Sequence, residues 1–320
     1  MTSKPVLSVV VPFHNEAACL PELLKRLKEV LVPLTQASYE IILVDDGSTD
    51  SSPAFVQNAA AADSKIKAIT LSRNSGHQAA IGCGLEYASG QAVITMDADL
   101  QHPPEVIPQL FEKWRSGFQV VRTIRISKNR IGLAQKLTSW VFYRLFNRIS
   151  EVQILPEGSD FRLLDRRALD AVLSLPERQR FLRGFVSYIG FKQTNVEFEC
   201  PERFAGQRSY TFRQSFALAS NALLSFSTAG LSLPFFLGLA SLCVVVLYVA
   251  VCGYLIWAGV FALSAGWLSL FTLGLLSLSL QLITTGIFGL YLGKIFLEVK
   301  QRPNYFVAAT QNLEGPVRKP

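Results

Sequence analysis

The stretch AVITMDADLQHPP, residues 92–104, decides the fold class of this chain. It joins a short β-rich run to the carboxylates of Asp97 and Asp99, and then to Pro104, a residue suited to the first turn of a helix. A strand that ends in acidic residues and leads into a helix is typical of parallel α/β sheets. Similar strand–helix units before and after this stretch would complete one sheet.

The segments around this stretch alternate in the same way. Runs rich in Val and Ile predict strands, and the stretches between them have helical length. The predicted strands are 7–11, 40–44, 66–71, 92–96 and 119–124, and the predicted helices are 17–31, 51–62, 77–88 and 104–116. This order predicts an α/β fold, a Rossmann-like doubly wound sheet. After Arg125 the pattern is too weak to assign strands.

The last third of the chain is apolar. Residues 214–293, roughly 80 positions, contain no Asp, Glu, Lys or Arg, whereas one membrane-spanning helix needs about 20. We expect two spans at 231–257 and 267–292, preceded by a basic and then apolar stretch at 206–227 that resembles an interfacial helix. Lys and Arg flank the pair of spans but are absent from the link 258–266, which predicts that both ends face the cytoplasm.

The domain boundaries follow from these patterns. We expect an α/β domain at residues 1–205, amphipathic juxtamembrane helices at 206–230, two transmembrane helices at 231–293 and a cytoplasmic tail at 294–320. The tail after Tyr305 is expected to be mobile. The predicted location is the plasma (inner) membrane, as a multi-pass protein with the α/β domain in the cytoplasm.

Charge and cysteine content narrow the classes of partner. The net charge is +7, and much of the basic excess lies between Arg115 and Arg213, just before the apolar region. This position favours lipid head groups and phosphates, and no Lys/Arg run or zinc-type spacing supports a nucleic acid. The five cysteines form no CxxC pair, so we expect no disulfide framework. The oligomeric state stays open, with a homo-oligomer as one option.

Asp97 and Asp99 are candidate metal ligands. Two carboxylates one residue apart on a turn can present oxygens to one divalent ion, Mg²⁺ or Mn²⁺. An ion held there would bridge a diphosphate and neutralise it as a leaving group. A DxD pair alone could equally be a plain acidic turn at the end of a strand.

A second acidic group ends another predicted strand. Asp45 and Asp46 suit a ribose hydroxyl or a base N–H, and Asp50 is also a good helix cap. We expect the group beside the DxD pair across the sheet, because the carboxyl ends of parallel strands meet at one edge. Together with the VPFHNE segment, residues 11–16, the two groups favour a nucleotide-sugar site over two unrelated turns.

Six ordered motifs run through the chain: VVVPFHNE, VDDGSTD, LSRNSGHQAA, MDADLQHPPE, GSDFRLLDR and RFLRG. With the two spans that follow, they resemble the polyprenyl-phosphate glycosyltransferases, which belong to inverting glycosyltransferase family 2 and have the GT-A fold. The chain is most similar to the bactoprenol glucosyltransferase branch, and dolichol-phosphate mannose synthases are more distant. The resemblance covers nearly the whole chain.

On the donor side, the resemblance implies two sets of residues. The metal and diphosphate site would be formed by Asp97, Asp99 and Gln101. The nucleotide-sugar would be bound by a set spread over several motifs, namely Pro12, Glu16, Asp45, Asp46, Asp97 and Arg125.

On the acceptor side, Asp160 matches the family's acceptor-side carboxylate, and Arg203, Arg208 and Ser209 match the element that receives the lipid phosphate. The sequence departs from the family at Arg208, where Lys is usual, and at Ser159, where Gly is usual. Asp99 and Asp160 are the predicted catalytic residues. Since a phosphate monoester is already anionic at neutral pH, Asp160 is interpreted mainly as an orienter, with a classical base as the weaker alternative.

These features predict an enzyme that transfers a sugar from a UDP-sugar to polyprenyl (undecaprenyl) phosphate with inversion, glucose being implied by the resemblance. One alternative is a processive polysaccharide synthase, but residues 178–181, RQRF, lack the tryptophan of its QxxRW element, and only two spans are predicted. The other alternative is a catalytically silent membrane scaffold, against which the intact acidic motifs argue.

Overall fold

The computed structural model describes residues 5–126, 158–177, 182–199, 229–259, 266–313 and 315. The chain divides into two compact units, which are described separately. A sheet unit comprises Met1–Asn147, Val152–Thr211 and Pro303–Pro320, and a helical unit comprises Arg148–Glu151 and Phe212–Arg302. The expected interfacial helix at 206–227 lies outside the described residues, as do Arg203, Arg208 and Ser209.

The described part of the sheet unit contains an eight-stranded sheet with helices between the strands. Its strands are β1 (Leu7–Phe13), β2 (Tyr39–Asp45), β3 (Ile66–Leu71), β4 (Ala92–Thr95), β5 (Val120–Ile126), β6 (Gly158–Asp165), β7 (Gln193–Glu199) and β8 (Val307–Gln311). Its helices are α1 (Leu20–Leu34), α2 (Ser52–Ala62), α3 (His77–Tyr87), α4 (Ile107–Arg115), preceded by a 3₁₀ turn at Pro104–Val106, α5 (Arg166–Ser174) and α6 (Leu182–Tyr188). The predicted α/β architecture is confirmed.

The strand order is β7-β5-β6-β4-β1-β2-β3-β8. Strands β4, β1, β2 and β3 run parallel, while β6 is antiparallel to both β4 and β5. The chain leaves β1 toward β2 and β3 and later returns to its other side at β4, so strand order reverses between β1 and β4. Ligands of open α/β sheets bind at the carboxyl ends of the strands near such a reversal.

The central strands are covered on both faces. Every residue of β1 and β2 is buried, as expected for near-continuous apolar strands in a parallel sheet. Helix α1 contributes a single apolar stripe at helical spacing, formed by Leu20, Leu23, Leu24, Leu27 and Leu31. This burial makes the sheet a rigid support for the loops at its carboxyl edge.

Pro12 lies at the carboxyl edge of the sheet, where β1 no longer pairs with β4. It lies in the central strand β1, where a proline would normally break the ladder because it has no N–H. The pairing of β1 with β4 ends at Val10, whose carbonyl accepts a hydrogen bond from Met96 N at 3.1 Å, and Pro12 lies two residues further on. The missing donor therefore falls where β4 has already ended.

Gly84 lets α3 lie directly on the sheet. A Cβ at this position would lie 2.3 Å from Val10 Cγ1 and 2.9 Å from Val44 Cγ2. These distances are far below a van der Waals contact, so only glycine fits against β1 and β2. Helix packing is thus the role of this glycine.

We expect Gly84→Ala to lower the free energy of unfolding by about 1–3 kcal/mol, because the added methyl group overpacks the core. Thermal unfolding of the full chain in nanodiscs would show a lower melting temperature. Val10→Ala removes the atom of closest approach and is the matched partner in a double-mutant cycle. Strictly additive losses in the double variant would contradict the proposed contact.

The sequence pattern did not assign β6, which lies between β4 and β5. Its register pairs Thr95 of β4 with Arg162, and Arg162 with Arg122 of β5. Charged residues are unusual in a buried strand. Their charge obscured the strand pattern, although Arg162 is paired with Asp160 inside the fold.

The expectation of a mobile tail after Tyr305 is wrong for residues 307–311. They form β8, which pairs antiparallel with β3 at the edge of the sheet. Tyr305 Oη donates a hydrogen bond to Glu86 Oε2 at 2.5 Å, and Asn312 Nδ2 donates to the carbonyls of Ala60 and Ile66 at 2.6 and 2.8 Å. These contacts anchor both ends of the strand.

The described part of the helical unit consists of α7 (Ala229–Trp257) and α8 (Gly266–Lys300). By length and composition, Pro234–Trp257 and Leu270–Lys300 are candidate membrane spans, and their most apolar windows are not buried within the protein. The two predicted spans are confirmed as candidates. The second extends beyond its predicted end at residue 292, up to Lys300.

Candidate active site

The turn after β4 presents the two carboxylates of the DxD pair. Its apolar residues are buried, whereas Asp97 and Asp99 are partly exposed. Leu100 is buried at a φ of 61°, a left-handed conformation that is rare for a large apolar residue. Asp99 Oδ1 accepts a hydrogen bond from the backbone N–H of Gln101 at 3.1 Å. The turn thus brings the three predicted metal-site residues together within one loop.

His102 supports this turn from the core. Its ring is buried and stacks on Phe161, and its Nδ1 accepts a hydrogen bond from Asp97 N at 2.9 Å. Nε2 lies 2.6 Å from Ser159 Oγ. Because Nδ1 is an acceptor, Nε2 carries the proton and donates it to Ser159. Burial lowers the pKa of His102, which favours this neutral form. Ser159, a departure from the family glycine, completes the support of Asp97.

One observation supports a divalent cation at Asp97. Its Oδ1 is buried and has no hydrogen-bond partner among the described residues, although His77 Nε2 lies 3.2 Å away. Such an oxygen is costly unless a cation or a donor satisfies it. In the described ranges, no three His, Cys, Asp or Glu side chains form a metal-binding group. A cation at the DxD pair would therefore need further ligands from a bound diphosphate or from water.

Helix α3 begins at the site. Gly76, at a φ of 95°, precedes it. The first side chain of the helix, His77, places Nε2 3.2 Å from Asp97 Oδ1 and 4.0 Å from Asp160 Oδ2. Burial acts to lower the pKa of His77, but the two carboxylates outweigh it and raise the pKa above its ordinary value. His77 therefore connects the DxD turn with Asp160.

Asp160, on β6, is the centre of a group of ion pairs. Its Oδ1 accepts hydrogen bonds from Arg162 Nη2 at 2.6 Å and Arg183 Nε at 3.0 Å, and its Oδ2 accepts one from Arg183 Nη2 at 3.0 Å. Gln78 Nε2 donates to Oδ2 at 3.3 Å. The structure places Asp160 beside the DxD turn, with its oxygens already engaged.

The acidic loop after β2 is fixed by backbone donors. Asp45 Oδ1 accepts a hydrogen bond from Ser48 N at 2.8 Å, and Asp46 accepts two, from Ser75 N at 2.7 Å and Gly76 N at 3.0 Å. Burial raises the pKa of Asp46, although these backbone donors act in the opposite direction. Asp45 Oδ2 is buried without a partner among the described residues. An oxygen of this kind suits a ribose hydroxyl or a base N–H.

Asn15 ties the loop after β1 to the loop after β2. It adopts a φ of 58°, which Asn tolerates better than most residues, and its Oδ1 accepts hydrogen bonds from Thr49 N at 2.8 Å and Asp50 N at 3.3 Å. The neighbouring Glu16 donates its backbone N–H to Ser52 Oγ at 3.0 Å. Asn15 is a positioning residue to which the sequence analysis gave no role.

The two acidic groups are one strand apart. Because β1 lies between β2 and β4, the loop with Asp45 and the DxD turn follow the two strands that flank β1. The start of α3 bridges the gap, since Gly76 N bonds Asp46 while His77 contacts Asp97. Arg125 lies near the end of β5 and is partly exposed. Burial lowers the pKa of His102, and the charge of Arg125 acts in the same direction.

Sequence reasoning missed the cations and donors around Asp160. His77 and Gln78 lie in the motif LSRNSGHQAA, and Arg183 lies in RFLRG. Both motifs support the resemblance, but no role was assigned to them. The only available signal was that these polar residues lie within the motifs that support the resemblance, because contacts between β6, α3 and α6 cannot be read from spacing.

Comparisons with known proteins test the resemblance drawn from the motifs. The family described as Glycosyl transferase family 2 matches residues 8–173. Glycosyltransferase YkcC of Bacillus subtilis is 38% identical over 310 residues, which cover 96% of this chain and 95% of that protein. Bactoprenol glucosyl transferase of Shigella phage SfII is 35% identical over 302 residues, which cover 94% and 97% of the two chains. These relatives confirm the resemblance drawn from the six motifs.

Among solved structures, mannosyltransferase PcManGT from Pyrobaculum calidifontis, in complex with GDP-Man and Mn²⁺, gives a TM-score of 0.47 at 20% identity, covering 94% of this chain and 88% of that chain. Glucosyl-3-phosphoglycerate synthase from Mycobacterium tuberculosis, in complex with Mn²⁺ and UDP-glucose, gives a TM-score of 0.46 at 17% identity, covering 69% and 78%.

Proposed function

Since this chain belongs to glycosyl transferase family 2, we propose that it transfers a sugar from a UDP-sugar to polyprenyl phosphate. The observation that carries the choice of acceptor is similarity over nearly the full length to proteins named bactoprenol glucosyl transferase, including 35% identity over 94% of this chain. The same names make glucose the first sugar to test and undecaprenyl phosphate the first lipid.

The donor would bind along the carboxyl edge of the sheet. The nucleoside would lie against the loops that carry Pro12, Glu16, Asp45 and Asp46, and the unpartnered Asp45 Oδ2 would accept a donor from the ribose or the base. Arg125 would lie near the diphosphate.

Asp97 and Asp99, with Gln101 in the same turn, would hold Mg²⁺ or Mn²⁺, and the cation would neutralise the diphosphate leaving group. Among the protein's own groups, His102 and Ser159 hold the turn through Asp97 N, so the two carboxylates are positioned before the donor arrives. Such preorganisation is a main source of electrostatic catalysis.

In the proposed reaction, a phosphate oxygen of the lipid attacks C1 of the sugar. The new bond joins this oxygen to C1, the bond from C1 to the diphosphate breaks, and UDP leaves, which inverts the anomeric centre. The attacking oxygen is already anionic near neutral pH, so no side chain has to remove a proton from it. Asp160 would orient the site, and Arg203, Arg208 and Ser209 would receive the lipid phosphate.

We propose that the chain lies in the plasma (inner) membrane with its sheet unit in the cytoplasm. The two candidate spans support a membrane protein. The donor pool is cytoplasmic, and the charges that flank the spans favour this orientation.

A panel of nucleotide-sugars tests the proposal. Purified protein in nanodiscs would be incubated with undecaprenyl phosphate, Mg²⁺ and each of UDP-glucose, UDP-galactose, UDP-N-acetylglucosamine and GDP-mannose, and the lipid product would be weighed by mass spectrometry. We expect one UDP-sugar to give a product heavier by one sugar residue. A long glycan would instead support the processive synthase, and failure to bind any nucleotide would support the silent scaffold.

A further inference from the structure

Asp160 is saturated by donors inside the protein. A carboxylate offers about four lone-pair positions, and the two oxygens of Asp160 accept four hydrogen bonds, from Arg162, Arg183 and Gln78. Its backbone carbonyl also accepts a hydrogen bond from Thr95 Oγ1 at 2.5 Å. The group is therefore held in one orientation.

This environment keeps Asp160 ionised. Burial acts to raise the pKa of its carboxyl, but Arg183 and Arg162 outweigh burial and hold the pKa well below its usual range. A proton on Asp160 would break contacts with two cations. The carboxylate is thus unsuited to act as a general base, and its role must be sought in what it holds.

The two arginines differ in their access to the site. The side chain of Arg162 is 5% exposed, and its Nη2 also donates to the carbonyl of Ser159 at 3.1 Å. The side chain of Arg183 is 40% exposed. Arg162 therefore neutralises Asp160 from within the fold, while Arg183 meets it from the solvent side.

The contact between Arg183 and Asp160 is a two-point fork. Nε and Nη2 of the guanidinium each lie 3.0 Å from a different carboxylate oxygen, which fixes the plane of the group. A guanidinium that is already oriented loses less conformational freedom when it binds a phosphate.

The exposed end of this fork lies close to the DxD turn. His77 Nε2 is 4.0 Å from Asp160 Oδ2 and 3.2 Å from Asp97 Oδ1, and the charge of Arg183 acts on His77. The side chains of Asp160 and His77 thus lie between Arg183 and the proposed metal site. The phosphates of donor and acceptor would meet at that site.

We propose that Arg183 is a phosphate-binding residue of the transfer site and that Asp160 is the positioning residue that orients it. The proposal deepens, and rests on, the proposed function. The phosphate can come from two sources, the diphosphate of the donor or the monoester of the lipid acceptor. Both present the same anionic oxygens, so their separation is left to the experiment.

Arg26 supplies a matched control. It forms the same two-point fork with Glu105, with Nε and Nη2 at 2.8 and 2.6 Å from the two carboxylate oxygens, and its side chain is 26% exposed. Its fork joins α1 to the 3₁₀ turn before α4, so Arg26→Gln removes an ion pair of the same geometry, whose carboxylate is 54% exposed, without changing a residue of the proposed site. Arg26→Gln therefore shows what the loss of a two-point arginine–carboxylate pair outside the proposed site does to the two affinities.

The test compares Arg183→Gln, Arg183→Lys and Arg26→Gln with the wild-type chain in nanodiscs. UDP affinity in Mg²⁺ is measured by calorimetry, undecaprenyl phosphate affinity by tryptophan fluorescence, and stability by thermal unfolding. We expect Arg183→Gln to weaken one of the two ligands about tenfold or more, because a charged hydrogen-bond donor is lost. Arg183→Lys should recover part of this loss, since it keeps the charge without the fork. Arg26→Gln should leave both affinities unchanged.

The ligand whose affinity falls identifies the source of the phosphate. A loss of UDP affinity indicates the donor diphosphate, and a loss of undecaprenyl phosphate affinity indicates the acceptor. Unchanged affinities for both ligands in a folded Arg183→Gln variant, with or without a lower melting temperature, would overturn the proposal and leave a structural ion pair. Because both arms measure binding, absence of sugar transfer by the wild-type chain would refute the proposed function separately. Asp160→Asn is not the primary test. It leaves the buried Arg162 without its carboxylate partner and is therefore expected to unfold the protein.

Discussion

Asp99→Asn should reduce sugar transfer by about a thousandfold or more. The change removes one negative charge from the DxD turn but keeps the shape of the side chain, and an amide oxygen can still accept the hydrogen bond from Gln101 N. Loss of several kcal/mol of metal-assisted stabilisation corresponds to such a factor. Initial rates with a saturating UDP-sugar, undecaprenyl phosphate and either Mg²⁺ or Mn²⁺ would measure it.

Glu112→Gln is the control for this experiment. Glu112 lies exposed on α4, so the same chemical change is made away from the site. Its rate should stay near that of the wild-type chain, and both variants should melt at similar temperatures. A folded Asp99→Asn variant that works at the wild-type rate would refute the assignment of the DxD pair as the metal site.

Labelling of single cysteines should give an all-or-none result for the orientation of the hairpin. In a chain whose native cysteines are replaced, Ser264→Cys, in the link between the spans, should react with a membrane-impermeant thiol reagent added to intact cells. Thr310→Cys should react only after lysis. The link carries no Lys or Arg, whereas Lys294 and Lys300 lie in the last turns of the second candidate span and Arg302 follows it, and cytoplasmic ends are enriched in such residues.

The structure supplies an internal control for this labelling. Thr310 is exposed on β8, which belongs to the catalytic sheet, so its reactivity reports the side of the membrane on which the sheet lies. Lysed cells should label both positions, which would show that both cysteines are accessible. The reverse pattern in intact cells would place the sheet away from the cytoplasmic donor pool, and the proposed function would have to be withdrawn.

The alternating half of the fold could be predicted because its signals are local. Strands β1 to β5 and helices α1 to α4 match apolar runs, proline starts and glycine stops that lie within a few residues of one another. The turns that carry Asp45 and Asp97 were found for the same reason, since polar residues directly follow apolar strands.

The remaining elements depend on contacts between distant segments. β6 is buried although it carries Asp160 and Arg162, because these charges neutralise each other, and no pattern within the strand reveals this. β8 is short and mostly exposed, and it pairs with β3 only after the chain has passed through both candidate spans. The roles of His77 and Arg183 likewise arise from contacts between separate elements.

The position of β8 also sets the order in which the protein can finish folding. Ile69 of β3 pairs with Thr310, about 240 positions later, and the two candidate spans are synthesised in between. Until the ribosome has released residue 311, β3 presents an open edge, which can pair with other chains. Completion of the sheet therefore waits for synthesis of both candidate spans, and a chain shortened before Pro303 would keep an aggregation-prone edge permanently.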